Sequence, residues 1–395
     1  MAALEYIKSM AGVERLPSLD SLVSTLTSFG IWRTPAMALP QIKSLQECVD
    51  YAKVVEPFLP QLYQLPHQIW QSLDSLDALR QVYATTNPLV SGFAVSLVVG
   101  LLTLIVSEIN RNYSQIDRLW SILPNLYVVH IALWARVAGL PHSRVDLIAI
   151  CTTLWSIRLT YNYWRRGGYQ VGSEDYRWMI VKGQLNSVVW FIFNVTFISF
   201  FQSILLYLFS GVPAYVILLS SQFETGIQPV DLVFAAVEIL LVFSEWISDG
   251  QQWAFQTAKY KYRETGNLTP GYTSAELERG FNTRGLWAYS RHPNFFAEQA
   301  IWFMLYQWSC FATNTPYSWA GIGAVLLVLL FQGSTNLTES ITSGKYPEYK
   351  AYQEHVGMFI PKTLTPYATP GPKVIRSSEL VKRSEQKQKH KKKQG

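Results

Sequence analysis

Seven stretches of this chain are apolar over roughly the length that crosses a bilayer, and that pattern limits the fold more than any motif does. A spanning helix needs about 20 mostly apolar residues. The runs lie near 88–109, 119–139, 146–164, 187–210, 230–248, 295–312 and 318–333. Gly211-Val-Pro213 is expected to break the fourth run, which leaves 210–222 ambiguous. Composition agrees. Charged residues make up 15% of the chain, against about 25% in soluble domains. Its 14 Trp and 22 Tyr suit rings placed at membrane interfaces. The expected fold is therefore all-α: a polytopic membrane helical bundle of about seven spanning helices, occupying residues 85–362. Residues 1–84 read as an N-terminal extension with amphipathic helices at 44–57 and 68–82, and 363–395 as a basic tail.

Basic residues in short loops set the orientation. The loops 210–230 and 313–317 hold no Lys or Arg, whereas 165–186 and 250–294 are rich in both. The rich loops and the tail are expected in the cytosol. Arg136 and Arg144 are the exceptions, because they fall on the other side. Four sequons, at Asn112, Asn194, Asn267 and Asn336, are expected to be unglycosylated on this topology. The net charge of +6 owes much to Lys382, Arg383, Lys387, Lys389, Lys391, Lys392 and Lys393. No structured basic module accompanies them, so nucleic acid is not an expected partner, and anionic membrane lipid is. Three scattered cysteines offer neither a disulfide framework nor metal-ligand spacing, and no metal is expected.

Ionisable groups collect at the cytosolic ends of several runs. The second begins with Gln115, Asp117 and Trp120. Arg158, Tyr161 and Arg165 close the third, within about 60° on one helical face. Glu238, Glu245 and Asp249 lie within about 40° of one line along the fifth. The sixth is entered through Trp287, Tyr289, Ser290, Arg291, His292, Asn294 and Glu298. Such groups at a membrane are costly and by default functional. Convergence of these ends would make one polar, cytosol-facing pocket, where Arg clamps phosphate and carboxylates take ribose hydroxyls. The alternative is that the acidic line pairs with a neighbouring Arg and serves packing alone. The chain has no Gly-x-Gly-x-x-Gly, no Walker loop and no His-Glu-x-x-His, so a soluble nucleotide-binding module is not expected.

The run Gly285-Leu-Trp-Ala-Tyr-Ser-Arg-His-Pro-Asn-Phe-Phe-Ala-Glu298 resembles the C-terminal motif of the steroid 5-alpha-reductase family, in particular its branch of multi-pass membrane proteins without an assigned reaction. The resemblance extends to Gln115-x-Asp117-x-x-Trp120-Ser, Arg165-Arg-Gly-Gly168, Glu174-Asp175-x-Arg177 and Glu245-x-x-x-Asp249-x-Gln251. Downstream it includes Glu339, Tyr346-x-x-Tyr349-x-x-Tyr352 and Phe359-Ile-Pro361. It covers roughly 90–362. It implies an NADPH-dependent oxidoreductase of lipid metabolism that reduces the C=C bond of a lipid-soluble enone, sterol-, steroid- or prenyl-like. Glu245, Asp249 and Gln251 would then hold ribose or amide groups. Arg165, Arg177, Arg291, His292 and Asn294 would cover phosphates and adenosine, with Trp287, Tyr289 and Glu298 completing the cofactor site. Tyr161 matches the catalytic tyrosine by spacing, and Asp117 falls near the catalytic acid. The family's Tyr-Phe-Gly-Glu is here Phe295-Phe-Ala297-Glu298, which removes one phenol and adds one methyl.

Two other functions stay open at this point. Arg-His-Pro is shared with S-adenosylmethionine-dependent membrane methyltransferases of the isoprenylcysteine type. A non-catalytic sterol-binding protein would keep the polar line without a cofactor. The ending Lys392-Lys393-Gln394-Gly395 resembles the dilysine retrieval signal of endoplasmic-reticulum membrane proteins, an address read by a coat receptor. It implies a multi-pass protein of that membrane with its C-terminus in the cytosol.

Overall fold

A computed structural model describes residues 38–368. The basic tail, with Lys392 and Lys393, lies outside the described residues. Among the described residues the chain is helical and no strand forms; an isolated parallel bridge joins Ser290 and Gly357. It divides into two compact units, Met1–Ser244 with Ala297–Ser334, and Glu245–Phe296 with Thr335–Gly395.

The first unit opens with short helical turns up to Phe58, followed by α1 (Leu59–Gln71) and α2 (Leu76–Thr85). Then come α3 (Pro88–Asn110), the short α4 (Gln115–Leu119), α5 (Leu123–Val137), α6 (Ser143–Arg165) and α7 (Tyr176–Lys182). The next helix, α8, runs Ser187–Ser220. Asn87 starts α3 in the expected way: its Oδ1 accepts from Leu89 N at 2.9 Å, and Pro88 fills the first helical position, where no N–H is needed. Here α8 is central, packed on α3, α5 and α6 and buried on almost every side. A helix that is apolar all round is stable only when so enclosed.

The expected break at Gly211-Val-Pro213 does not occur. The helix Gln202–Ser220 carries Pro213 in its interior, with Pro213 and its neighbours from Ser210 to Ser220 buried. A proline that frees a carbonyl is tolerated where neighbouring helices enclose it. The irregularity lies earlier, as a π-helical stretch at Asn194–Phe201. There Asn194 is fully buried and its Nδ2 donates to Ser107 Oγ at 3.0 Å and Glu108 Oε1 at 2.8 Å. That sequon asparagine is an internal strut between α3 and α8.

The two arginines that looked misplaced are neutralised. Arg144 is completely buried and forks onto Asp231, Nε to Oδ2 and Nη2 to Oδ1, both at 2.9 Å. Its Nη1 reaches Ser220 Oγ at 3.0 Å and Glu224 Oε2 at 3.2 Å. Asp231 also accepts from Trp308 Nε1 at 2.7 Å. Arg136 pairs with Asp146 at 2.8 Å. Neither is a free topological charge.

The described part of the extension packs into this unit. Gln61 Oε1 accepts from Asn87 N at 2.7 Å, and Asn87 Nδ2 donates to Ala38 O at 2.9 Å. Tyr215 Oη donates to Val54 O at 3.2 Å, and Trp319 Nε1 to Val49 O at 3.0 Å.

Three further helices cross the division between units: α9 (Pro229–Thr265), a later helix Pro293–Ala312, and the last apolar helix, Trp319–Lys345. Between the first two, the second unit places α10 (Ser274–Arg279). Pro293–Ala312 is accordingly α11 and Trp319–Lys345 α12, and α13 (Tyr349–His355) follows. A capping box starts α10, with Thr273 and Glu276 bonding each other's backbone N–H. One small core gathers Phe281, Tyr349, Tyr352 and Val356; another gathers Phe255, Ala258 and Leu277.

Among the described residues, α3, α8 and α12 are long and apolar enough to cross a membrane. α5 is shorter, with 15 residues, and polar or charged side chains interrupt α6, α9 and α11. They still turn large apolar side chains outward: Ile150, Leu154 and Ile157 on α6, Leu232, Leu240 and Phe243 on α9, Phe303 and Phe311 on α11. Exposed apolar surface of that extent marks contact with something apolar.

Candidate functional site

In the first unit, α6 lines an open cleft of about 460 Å³ with Ser156, Ile157, Thr160, Tyr161 and Trp164; Tyr169 closes it. A hydroxyl chain braces its floor. Thr160 Oγ1 donates to Ser121 Oγ at 2.8 Å, Ser156 Oγ to Ser121 O at 2.6 Å, and Tyr169 Oη to Arg118 O at 3.1 Å. Tyr161 is different. It is half-exposed, and its hydroxyl makes no hydrogen bond among the described residues. The Arg165 guanidinium stands 5.5 Å from its ring centroid while forking onto Asn162 Oδ1 at 3.0 and 2.8 Å.

Asp117 does not line this cleft. Its Oδ2 accepts from Trp178 Nε1 at 2.8 Å. Burial pushes its carboxyl above the usual aspartate range, against that hydrogen bond. Arg177 forks onto Asp175 at 2.9 and 2.8 Å and donates to Ser334 Oγ at 2.5 Å. Glu298 is buried, accepting from Trp155 at 2.9 Å and Trp302 at 2.8 Å, with Arg158 at 3.4 Å. These three predicted residues thus hold helices together through α4, α7 and α11.

In the second unit the predicted residues fall into two groups of opposite character. Arg291 and His292 converge on Glu339. Arg291 Nε reaches Oε1 at 2.6 Å and Nη2 reaches Oε2 at 2.9 Å, while His292 Nε2 lies 2.9 Å from Oε1. Tyr349 Oη and Gln353 Nε2 donate to the same carboxylate at 3.1 and 2.8 Å. The remaining Arg291 nitrogen, Nη1, donates to Gln353 O at 3.2 Å and to Val356 O. Four of its five donors are spent inside the protein. Backbone bonds from Arg291 N to Gly357 O (2.9 Å) and His292 N to Met358 O (3.0 Å) complete a clasp on the segment after α13. A Cβ at Gly357 would fall 1.8 Å from Ile360 O, so only glycine fits that turn.

The other group gathers around Asp249. Asn294 Nδ2 donates to Asp249 Oδ1 at 3.1 Å, while its own Oδ1 is buried without a partner among the described residues. Glu245, one helical turn before Asp249, is buried beside it on α9. Gln251 Oε1 accepts from Leu286 N at 2.9 Å, and Trp287 Nε1 donates to Ser248 O at 3.0 Å; both position the segment that leads into α11. Gly285 has φ +62°, and a Cβ there would meet the Gln251 side chain at 2.4 Å, which explains glycine at that turn. Tyr289 is half-buried, and its hydroxyl makes no hydrogen bond among the described residues.

Carboxylates and an amide carbonyl are the acceptor types that take ribose hydroxyls or a carboxamide NH₂. Arg291 and His292, the residue types suited to phosphate, turn polar atoms to Glu339 instead of to one another. Sequence reasoning left Glu339 out of the site, although an acid in an apolar helix is a rare enough event to flag it.

A family model described as "Protein of unknown function (DUF1295)" matches residues 103–356. An uncharacterized protein of Schizosaccharomyces pombe (strain 972) is 36% identical over 331 residues, covering 83% of this chain and 94% of its own length. No solved structure matches.

Proposed function

This chain belongs to the DUF1295 family, and we propose that it is a membrane reductase that uses NADPH to saturate the C=C bond of a lipid-soluble enone. The observation that carries the reading is Tyr161, a phenol with no hydrogen-bond partner among the described residues, on the wall of an open, largely apolar cleft. An enone carbonyl needs such a donor. When bound, the nicotinamide would supply a hydride to the β carbon, and water entering the open cleft would supply the proton for the α carbon. Tyr161 Oη donates to the carbonyl oxygen and stabilises the negative charge that gathers there, as an oxyanion hole does. Ile157 and Trp164 cover the hydrocarbon part of the substrate. In the second unit, Asp249, Glu245 and Asn294 are of the types that would hold a cofactor's ribose hydroxyls. Asp117 acts by position, fixing α7 through Trp178.

The outward apolar faces of α6, α9 and α11 support seven spanning helices, with α5 the seventh beside α3, α8 and α12. The C-terminus then lies in the cytosol, and Lys392 and Lys393 support residence in the endoplasmic reticulum. Changing both lysines to serine should move a tagged protein off the reticulum; an unchanged location would count against retrieval. For the reaction, Tyr161→Phe should keep NADPH binding while losing about 100-fold in enone turnover, the usual effect of removing one oxyanion donor. Equal loss of binding and turnover would mean that Tyr161 serves the fold.

A further inference from the structure

A second polar cluster in the second unit is used by none of this chemistry. Lys259 lies on α9, only 5% exposed, and its Nζ donates to Gly280 O at 3.1 Å. No other hydrogen bond to that ammonium occurs among the described residues, so two of its three N–H groups are uncommitted. The charges within its electrostatic reach are Arg263 and Lys345, both cations. Arg263 is one turn further along α9, on the same face. Lys345 ends α12.

Arg263 and Lys345 both meet the Tyr346 ring, and Lys259 reaches the glycine beneath it. Arg263 Nη2 donates to Tyr346 Oη at 3.1 Å, and Lys345 Nζ stands 5.6 Å from the Tyr346 centroid. The same ring packs on Gly280, where a Cβ would meet Tyr346 Cε1 at 2.2 Å, and Gly280 carries the carbonyl that Lys259 holds. Gly280 has φ +86°. Left-handed backbone and ring contact together require glycine there, so the cluster is built into the fold.

Three like charges at close range, one of them buried, repel one another. Among the described residues none of the three is in an ion pair with a carboxylate. Their nearest neighbours are aromatic: Lys259 Nζ lies 5.8 Å from the Phe255 centroid and 5.2 Å from that of Tyr260. Rings soften the cost of a cation without neutralising it.

We infer that Lys259, Arg263 and Lys345 form a binding site for a phosphate monoester, a group whose two negative charges and several acceptor oxygens match three converging donors. Arg263 and Lys345 are the exposed rim that captures the anion; Lys259 is the buried floor that fixes it. Burial and the two like charges push the Lys259 ammonium down to about 8. Bound phosphate would raise it again, and affinity should fall as the pH climbs past that value.

The phosphate has two natural sources, a nucleotide and a phospholipid headgroup. The test uses the full chain purified in detergent and titrates three probes by calorimetry: inorganic phosphate, adenosine 2′,5′-bisphosphate and short-chain phosphatidic acid. Wild type should bind at least one of them. The double variant Arg263→Gln, Lys345→Gln, both on exposed side chains, should weaken that binding by about tenfold or more, two charge-assisted hydrogen bonds being lost. Tighter binding of the bisphosphate assigns the site to a nucleotide, and of phosphatidic acid to a lipid. Lys259→Met tests the floor and should abolish binding; if it misfolds, the rim variant still decides. Wild type that binds none of the probes, or a rim variant that binds as well as wild type, overturns the inference.

Discussion

Arg144 and Arg291 are both buried arginines that fork onto one carboxylate, yet their surroundings differ. Arg144 ties helix ends to helix ends: its partners Ser220, Glu224 and Asp231 come from the close of α8, the turn after it and the start of α9. Arg291 ties a loop to a helix: it spends two donors on Glu339 of α12 and two on carbonyls at and beyond the end of α13. The first pair makes it possible to bury a positive charge among apolar helices. The second shapes a segment that has almost no regular backbone of its own. An arginine at a membrane boundary therefore has to be judged by the donors it has left. These two have almost none, whereas Asn294 and Tyr161 keep polar atoms with no partner among the described residues.

The largest effect should come from breaking either pair on one side only. Asp231→Ala or Glu339→Ala leaves a buried guanidinium without its counter-charge, which costs about 3–5 kcal/mol. Either variant should express poorly in membranes or melt far below wild type in detergent. The Arg144→Ala, Asp231→Ala double variant should be less damaging than Asp231→Ala alone, because no stranded charge remains. Additive losses would show that the two side chains act separately.

Next comes the contrast between the two polar groups of the second unit. Asp249→Ala should lower NADPH affinity by about tenfold, roughly 1.4 kcal/mol, with little change in melting temperature. A collapse in stability equal to that of Glu339→Ala would erase the distinction between clasp and ligand group.

The smallest expected effect is at Phe295, which stacks on His292 with centroids 5.4 Å apart. Phe295→Tyr restores the phenol found in the resembling family and should tighten NADPH binding by about threefold, the gain of one exposed hydrogen bond. No change would indicate that the ring only packs on His292.

The helices were largely legible in the sequence because helices enclosed by apolar neighbours, or turning apolar faces outward, are long apolar runs. Boundaries failed where tertiary enclosure overrode local chemistry, as at Pro213, which a buried helix carries without ending. The Arg144–Asp231 pair was hidden because its members are 87 positions apart, and no local pattern marks a contact of that range. Within the site, residue types were legible and roles were not. Arg291 and His292 suited an anion by type, but Glu339, 48 and 47 positions away, claims them first. Lys259 looked like one more basic residue in a basic loop, since its burial depends on Phe255 and the α10 segment folding over it.

The most direct test of the central claim is cofactor binding by the purified, detergent-solubilised protein, comparing NADPH, NADH and S-adenosylmethionine for wild type and Asp249→Ala. Wild type should bind NADPH, and Asp249→Ala should bind it more weakly, while both proteins stay folded. Binding of S-adenosylmethionine alone, or of none of the three by folded wild type, would contradict it.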